Sequence, residues 1–175
     1  LVFLSLSSAL VLAACGGEGS PADSSESAGA NGSDQVLNLI ESAEIPTMDS
    51  VQATDTVAFT ALSNVNEGLY RQGLDGTVEL GIAAEDPTVS EDGLVYTFTI
   101  RDEANWSNGE PVTADDFVYS WRKLVDPASA ASYSYMMDGV IANATEIIAG
   151  EVAPEELGVK AIDEKTLEIT LTSPV

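Results

Sequence analysis

The side chains best suited to chemistry are two adjacent carboxylates, Asp115 and Asp116, and a single thiol, Cys15. Paired acids can act as general acid and general base, which would suit a surface hydrolase. Neighbouring positions on a helix point about 100° apart, however, and acids in a first helical turn favour the helix dipole. The chain has no histidine, the commonest general base and metal ligand. We therefore interpret both acids as structural, and expect no catalytic residue, no metal site, no cofactor and no enzymatic activity.

Cys15 follows a continuous apolar run, residues 1–14, with the sequence LVFLSLSSALVLAA. This run is shorter than the ~20 residues that span a bilayer, and it has the length of a signal-peptide core. No Lys or Arg precedes it, so we expect the basic n-region to be missing from this sequence. The segment Leu12-Ala13-Ala14-Cys15-Gly16 resembles a bacterial lipobox, which implies cleavage before Cys15 and lipidation of its thiol. The alternative is an ordinary secretory peptide with an incidental cysteine.

Residues 15–35 are rich in Gly, Ser, Ala and acids and contain almost no large apolar side chains. Such a segment cannot bury enough surface to offset its ordering entropy, and it is typical of a flexible tether. Lipid, tether and domain together predict a protein attached to the extracytoplasmic face of a membrane, at the cell surface or in the periplasm.

The charge of the chain excludes some partners. Its 29 acidic and 6 basic residues give a formal net charge of -23. A polyanion is repelled by phosphates, so nucleic acid is not an expected partner, and anionic headgroups are disfavoured for the same reason. Any membrane attachment must therefore be covalent or hydrophobic. The apolar fraction of 45% is nevertheless sufficient for a packed core.

Strand and helix signals alternate over residues 36–175, which predicts a mixed α/β or α+β domain. Apolar alternation or β-branched composition predicts strands at 36–41 and 94–100 and a hairpin over 159–171. Turns are predicted at three pairs that end in glycine, namely Asp75-Gly76, Asp92-Gly93 and Asn108-Gly109.

Two helices carry clear start signals. One is predicted from Asp55, its cap, to Leu69, with an apolar stripe of Val57, Leu62, Val65 and Leu69. The other is predicted from Ala114 to about Val125, entered through a near capping box of Thr113 and Asp116. Its buried stripe is expected to consist of Phe117, Trp121 and Leu124. One or two further helices are expected between residues 128 and 149, with Gly150 as a stop.

Several stretches together resemble the extracellular solute-binding protein family 5, best known for oligopeptide-binding lipoproteins of ABC importers. They are NEGLY (66–70), LVYTFTIR (94–101), WSNGEPVTADDFVYSW (106–121) and GVKAID (158–163). The resemblance implies a two-lobed, periplasmic-binding-protein-like fold. Residues 36–175 would be part of its first lobe with the inserted subdomain, truncated before the second lobe. Some sheet edges and apolar faces should then be uncovered.

The resemblance also implies ligand contacts. In the oligopeptide-binding members, a loop after the first strand pairs with the peptide main chain. The matching stretch is residues 52–56, so Thr54, Asp55 and Thr56 are predicted contacts, although Asp55 also competes for the helix-cap role. A tyrosine after an Asp-Pro pair predicts Tyr133 as a second contact, with Tyr135 as the alternative. Trp106, Gly109 and Pro111 are interpreted as scaffold.

The resemblance implies a function as well. The protein would capture oligopeptides outside the cytoplasm and deliver them to the permease and ATPase subunits of an ABC transporter. A receptor of the same fold for a signalling peptide, a nickel chelate or a sugar is an open alternative, as is a non-transporting surface adhesin or chaperone.

Overall fold

The computed structural model describes residues 38–175. The predicted signal peptide (1–14), the lipidation residue Cys15 and the predicted tether (15–35) lie outside that range. The predicted strand at 36–41 lies partly within it, and residues 38–41 are not a strand. A strand-like composition is not sufficient for these residues to form a strand, because a strand also needs a neighbouring edge with which to pair.

Helix α1 spans Thr56–Val65 and begins as predicted, with the Asp55 carboxylate accepting the Ala58 N–H at 2.9 Å. It ends four residues earlier than predicted, because Asn66 is already extended (φ -120°, ψ 151°). The predicted stripe was also wrong in part. Ala58 and Leu62 are its buried residues, whereas Val65 is 68% exposed.

The chain after α1 forms a small hairpin of β1, Tyr70–Gln72, and β2, Val78–Leu80. Its turn contains Gly76 with φ +83°, a left-handed conformation that favours glycine, as the Asp-Gly signal predicted. Glu67 pairs with Arg71 of β1 at 3.5 Å, and its other carboxylate oxygen pairs with Arg101 at 2.5 Å. The NEGLY and strand-Arg motifs therefore meet in space.

The main sheet has four strands: β3, Thr88–Val89; β4, Val95–Thr99; β5, Val159–Asp163; and β6, Thr166–Thr170. Their order is β3-β4-β6-β5, and every neighbouring pair is antiparallel. The predicted strand at 94–100 and the predicted hairpin at 159–171 are confirmed. Alternation along β4 and β6 places Phe98, Ile100, Leu167 and Ile169 in the core.

Helix α2 spans Ala114–Val125, as predicted, and packs against β5 and β6. The buried positions are Ala114, Val118 and Val125. Phe117 and Trp121 pack against the core while only partly buried, and Leu124 is not part of it. The buried face of α2 is therefore displaced by about one residue from the face that the sequence predicted. The large rings cover the edge of the contact and smaller side chains fill its centre.

The chain between α2 and β5, residues 126–158, is called the crossover and consists mainly of short turns. Single 3-10 turns span Pro127–Ser129, Ser134–Met136 and Pro154–Glu156, and helix α3 spans Ala144–Ile148. Gly150, with φ +76°, follows α3 and confirms the predicted stop. Some apolar strand side chains are left uncovered, including Val78 at 76% and Ile162 at 51% exposure. None of the helices within residues 38–175 has the length and apolar character needed to cross a membrane.

Candidate functional site

Two of the predicted ligand contacts meet in the fold. The Tyr133 hydroxyl donates to the Thr54 carbonyl oxygen at 3.5 Å, a long contact between residues 79 positions apart. Thr54 is exposed and lies in the extended stretch that leads into α1, whereas Tyr133 lies in the crossover after α2. The fold therefore places the two predicted segments side by side.

Asp55 and Thr56 have local partners. The Asp55 carboxylate caps α1, so the competing role foreseen for its charge is the one it takes in the structure. Thr56 is the first residue of α1, and its carbonyl accepts the Thr60 hydroxyl at 2.9 Å. Their contribution to a ligand would come from exposed main chain and from the Thr56 side chain, because the Asp55 carboxylate is already engaged.

The main chain at Thr54 is poorly satisfied. Among residues 38–175, its N–H donates to no protein acceptor, and its carbonyl receives only the long contact from Tyr133. The preceding residue, Ala53, is fully buried and fixes this point of the chain to the core. Main-chain groups normally find partners, so an unpaired N–H on an exposed residue, next to an anchored one, is suited to pairing with an extended ligand.

An aromatic cluster adjoins this main chain. The rings of Phe59 and Tyr133 lie 5.8 Å apart, and the rings of Tyr133 and Tyr135 also lie 5.8 Å apart. Phe59 is 41% exposed and Tyr135 is 62% exposed. Tyr135 was the alternative contact in the sequence, but Phe59 was missed. Its position one helical turn after Thr56 was the only available signal.

Two further contacts tie the segment before α1 to α2 and to the crossover that follows α2. The Lys123 ammonium pairs with the Asp49 carboxylate at 2.9 Å, and the Gln52 amide donates to the Ser129 carbonyl at 2.6 Å. The hydrogen bond from Lys123, assisted by the Val51 N–H, lowers the pKa of Asp49, and the same bond raises the pKa of Lys123. Sequence reasoning missed these residues, because each partner lies more than 70 positions away.

The paired acids are separated in role. One Asp116 oxygen accepts the Thr113 N–H at 2.8 Å, the Thr113 hydroxyl at 3.0 Å and the Trp106 indole N–H at 3.3 Å. Asp115, the preceding residue of the helix, is exposed. Asp116 thus joins the loop to the start of α2, which agrees with the structural interpretation of these acids. Within the described residues, no group of three acidic or cysteine side chains is arranged to hold a metal ion.

A sequence model of the bacterial extracellular solute-binding proteins, family 5, middle region, matches residues 77–175. This match covers more than half of the chain. The chain belongs to this family. The family 5 match includes β3 to β6, α2 and Tyr133, whereas Thr54 to Thr56 precede it.

Curated relatives extend the likeness toward the N-terminus. The oligopeptide-binding protein OppA of Bacillus subtilis is 37% identical over 174 residues, which is 99% of this chain and 31% of that protein. The dipeptide-binding protein of Lactococcus lactis is 39% identical over 131 residues, covering 75% of this chain and 24% of the relative. The chain thus spans about a quarter to a third of the length of these family 5 relatives.

Solved structures share the fold. Listeria monocytogenes OppA bound to peptide superimposes with a TM-score of 0.76 at 52% identity, over 79% of this chain and 27% of that one. The substrate-binding domain of an oligopeptide ABC transporter from Bacillus anthracis gives 0.75 at 45% identity, over 79% and 26%. The predicted family and the mixed α/β fold are confirmed.

Proposed function

We propose that this chain is part of a two-lobed receptor that captures oligopeptides outside the cytoplasm and hands them to an ABC permease driven by ATPase subunits. Residues 36–175 would contribute part of the first lobe with its inserted subdomain. The carrying observation is the meeting of Thr54 and Tyr133 at an unpaired main-chain segment. A 52% identical relative with the same fold is described as bound to peptide, which supports an oligopeptide as the ligand.

Main-chain pairing suits such a receptor for a physical reason. Every peptide carries the same N–H and C=O groups, so a site that pairs with them accepts many sequences. The unpaired Thr54 N–H is one such group, and Thr56 follows two residues later in the chain. The Tyr133 ring would pack on the ligand from the other side, because its hydroxyl already reaches the Thr54 carbonyl.

We infer that the receptor does no chemistry of its own. The Asp116 carboxylate already accepts three hydrogen bonds from protein groups, so we interpret its role as structural. Asp115 occupies the adjacent position of α2, about 100° around the helix from Asp116, which suits a general acid and base pair poorly.

We also propose that Cys15 carries a lipid and that residues 15–35 tether the domain to the outer face of the membrane. Cys15 and the tether lie outside the described residues, so the support is the sequence alone. A tether raises the concentration of the receptor near its permease, because both partners are then confined to one surface.

The direct test is binding by the full-length protein that contains this chain. Calorimetry against a library of tri- to pentapeptides is expected to detect binding, and mass spectrometry of the purified protein should find peptide carried along. Sugars and nickel chelates are the competing ligands. Binding of either class, with no response to any peptide, would overturn the proposal.

Tyr133→Ala should then weaken the dissociation constant for peptide by about tenfold, which corresponds to ~1.4 kcal/mol of lost packing. Tyr119→Ala is the matched control, because Tyr119 is 70% exposed on α2 and belongs to no aromatic pair within residues 38–175. Equal dissociation constants for the two variants would remove Tyr133 from the site.

A further inference from the structure

The segment that precedes Thr54 is a closed turn built on Asp49. The Asp49 carbonyl accepts the N–H groups of Gln52 at 3.0 Å and Ala53 at 2.9 Å. One oxygen of its carboxylate accepts the Val51 N–H at 2.9 Å. A single aspartate therefore shapes the chain up to the residue immediately before Thr54.

The other carboxylate oxygen of Asp49 binds Lys123 at 2.9 Å, and this contact joins the turn to α2. The Gln52 side chain reaches the Ser129 carbonyl at 2.6 Å, and this contact joins the same turn to the crossover. Counted along the chain, these partners are 74 and 77 positions apart. The Gln52–Ser129 contact joins the same two stretches of chain as Thr54 and Tyr133, and the Asp49–Lys123 contact joins the first of them to α2.

These contacts are too exposed to be important for global stability. The side chains of Lys123 and Asp49 are 36% and 38% exposed to solvent, and the Gln52 contact is at the surface. Exposed ion pairs contribute little to the free energy of unfolding, because water and salt screen them. They can still restrict a short segment, since local opening is governed by the few contacts that hold that segment.

We propose that Asp49 and Gln52 are positioning residues that hold the main chain of Thr54 in register for the ligand. This inference rests on the proposed function. A ligand that pairs with main chain must otherwise order that chain at the moment of binding, which reduces affinity. The Asp49 carboxylate and the Gln52 amide are each engaged with protein groups, namely Lys123 and the Ser129 carbonyl. They act through Thr54, whose carbonyl lies beside the Tyr133 hydroxyl.

The test uses the full-length protein with Asp49→Asn and, separately, Gln52→Ala. Asn keeps an oxygen for the Val51 N–H but loses the charge that binds Lys123. Each variant is expected to weaken peptide binding about three- to tenfold, while the melting temperature stays within about 2 °C. Hydrogen exchange of the amides at residues 51–55 in the unliganded protein should become faster.

A second readout separates positioning from a loss of general stability. The peptide that the wild-type protein binds most tightly from the tri- to pentapeptide library is compared with its thioamide forms, in which one backbone carbonyl oxygen at a time is replaced by sulfur, a weaker acceptor. The wild-type protein should discriminate strongly against the thioamide at the position that pairs with the Thr54 N–H. Asp49→Asn should discriminate less, because its Thr54 is no longer held in register.

Lys160→Gln provides the matched control. It breaks an exposed ion pair with Glu168, 2.7 Å long, between β5 and β6 and away from the turn. This variant should bind, exchange and discriminate like the wild-type protein. If the wild-type protein binds peptide and Asp49→Asn and Gln52→Ala match it in all three readouts, the inference is wrong. Failure of the wild-type protein to bind any library peptide would overturn the proposed function itself, and this inference with it.

Discussion

The Trp106 indole N–H donates to Asp116 at 3.3 Å, on the same oxygen that accepts the Thr113 N–H at 2.8 Å. One carboxylate therefore fastens the loop before α2 and the first turn of α2 together. Replacing it with alanine would leave the Thr113 N–H and the indole without this acceptor.

Asp116→Ala is accordingly expected to lower the free energy of unfolding by about 1–2 kcal/mol, as for the loss of a helix cap. Urea denaturation of the full-length protein measures this. Asp115→Ala is the control, since it removes an acid from the same helical turn without removing any of these hydrogen bonds. Equal losses in the two variants would mean that helix-dipole charge, and not the hydrogen-bonded carboxylate, is the stabilising feature.

Gly158→Ala is expected to destabilise the domain because no room exists for a methyl group. A Cβ at this position would lie 2.8 Å from the Ala142 Cβ and 2.9 Å from the Thr170 carbonyl oxygen. Overpacking of this kind costs about 1–3 kcal/mol, measurable as a lower urea midpoint. Gly139→Asn serves for comparison, because Asn tolerates the positive φ there and nothing lies within 4 Å. If Gly158→Ala had the same urea midpoint as the wild-type protein, Ala142 and its neighbours would be able to move aside at little energetic cost.

The Asp49–Lys123 pair predicts a specific dependence on acid. Its hydrogen bond lowers the pKa of Asp49 from the usual 3.8, so folding favours the ionised carboxylate. The stabilisation is then present above the pKa of the unfolded chain and is lost as the pH falls through the lower folded value. The difference in free energy of unfolding between the wild-type protein and Asp49→Asn should be small, in keeping with the small change in melting temperature expected above, constant from pH 7 to about 5, and smaller still below about 4. Other aspartates with lowered pKa values cancel in this difference. A difference that does not change with pH would argue against a charge-dependent contact.

Cys15→Ser is expected to release the full-length protein from the membrane into the medium or periplasm. The thiol is the proposed acceptor of the lipid, and serine cannot replace it. Metabolic labelling with palmitate should be lost at the same time, while peptide binding by the released protein is retained. A variant that stays in the membrane fraction would contradict the lipid anchor and leave the peptide receptor intact.

Local sequence signals predicted the elements that a few neighbouring residues decide. Thr113 and Asp116, three positions apart, fixed the start of α2, and Asp55 fixed the start of α1. Positive φ at Gly76, Gly93 and Gly109 followed from their Asp-Gly and Asn-Gly pairs. Each of these features is contained within a single turn of chain, so a short window of sequence holds all the information needed.

Features set by distant partners were less predictable. The chain leaves α1 at the extended Asn66, and the next residue, Glu67, pairs with Arg101, 34 positions later. The choice of Val118 over Phe117 as the buried residue of α2 depends on where β5 and β6 pass beneath the helix. In the site, Thr54 and Tyr133 were identified through family resemblance. Phe59 could be identified only from the structure, because the tertiary fold brings its ring next to that of Tyr133.

The pairing of β4 with β6 has a consequence for biosynthesis. Val95 lies opposite Thr170 and Thr99 opposite Thr166, so about 70 residues separate the two halves of the central ladder. β3 lies just before β4 in the chain, but a ribosome must finish β6 before β4 gains this longer neighbour. The proposed location outside the cytoplasm requires export, and this delay would leave the central ladder of the sheet unformed until β6 has been made.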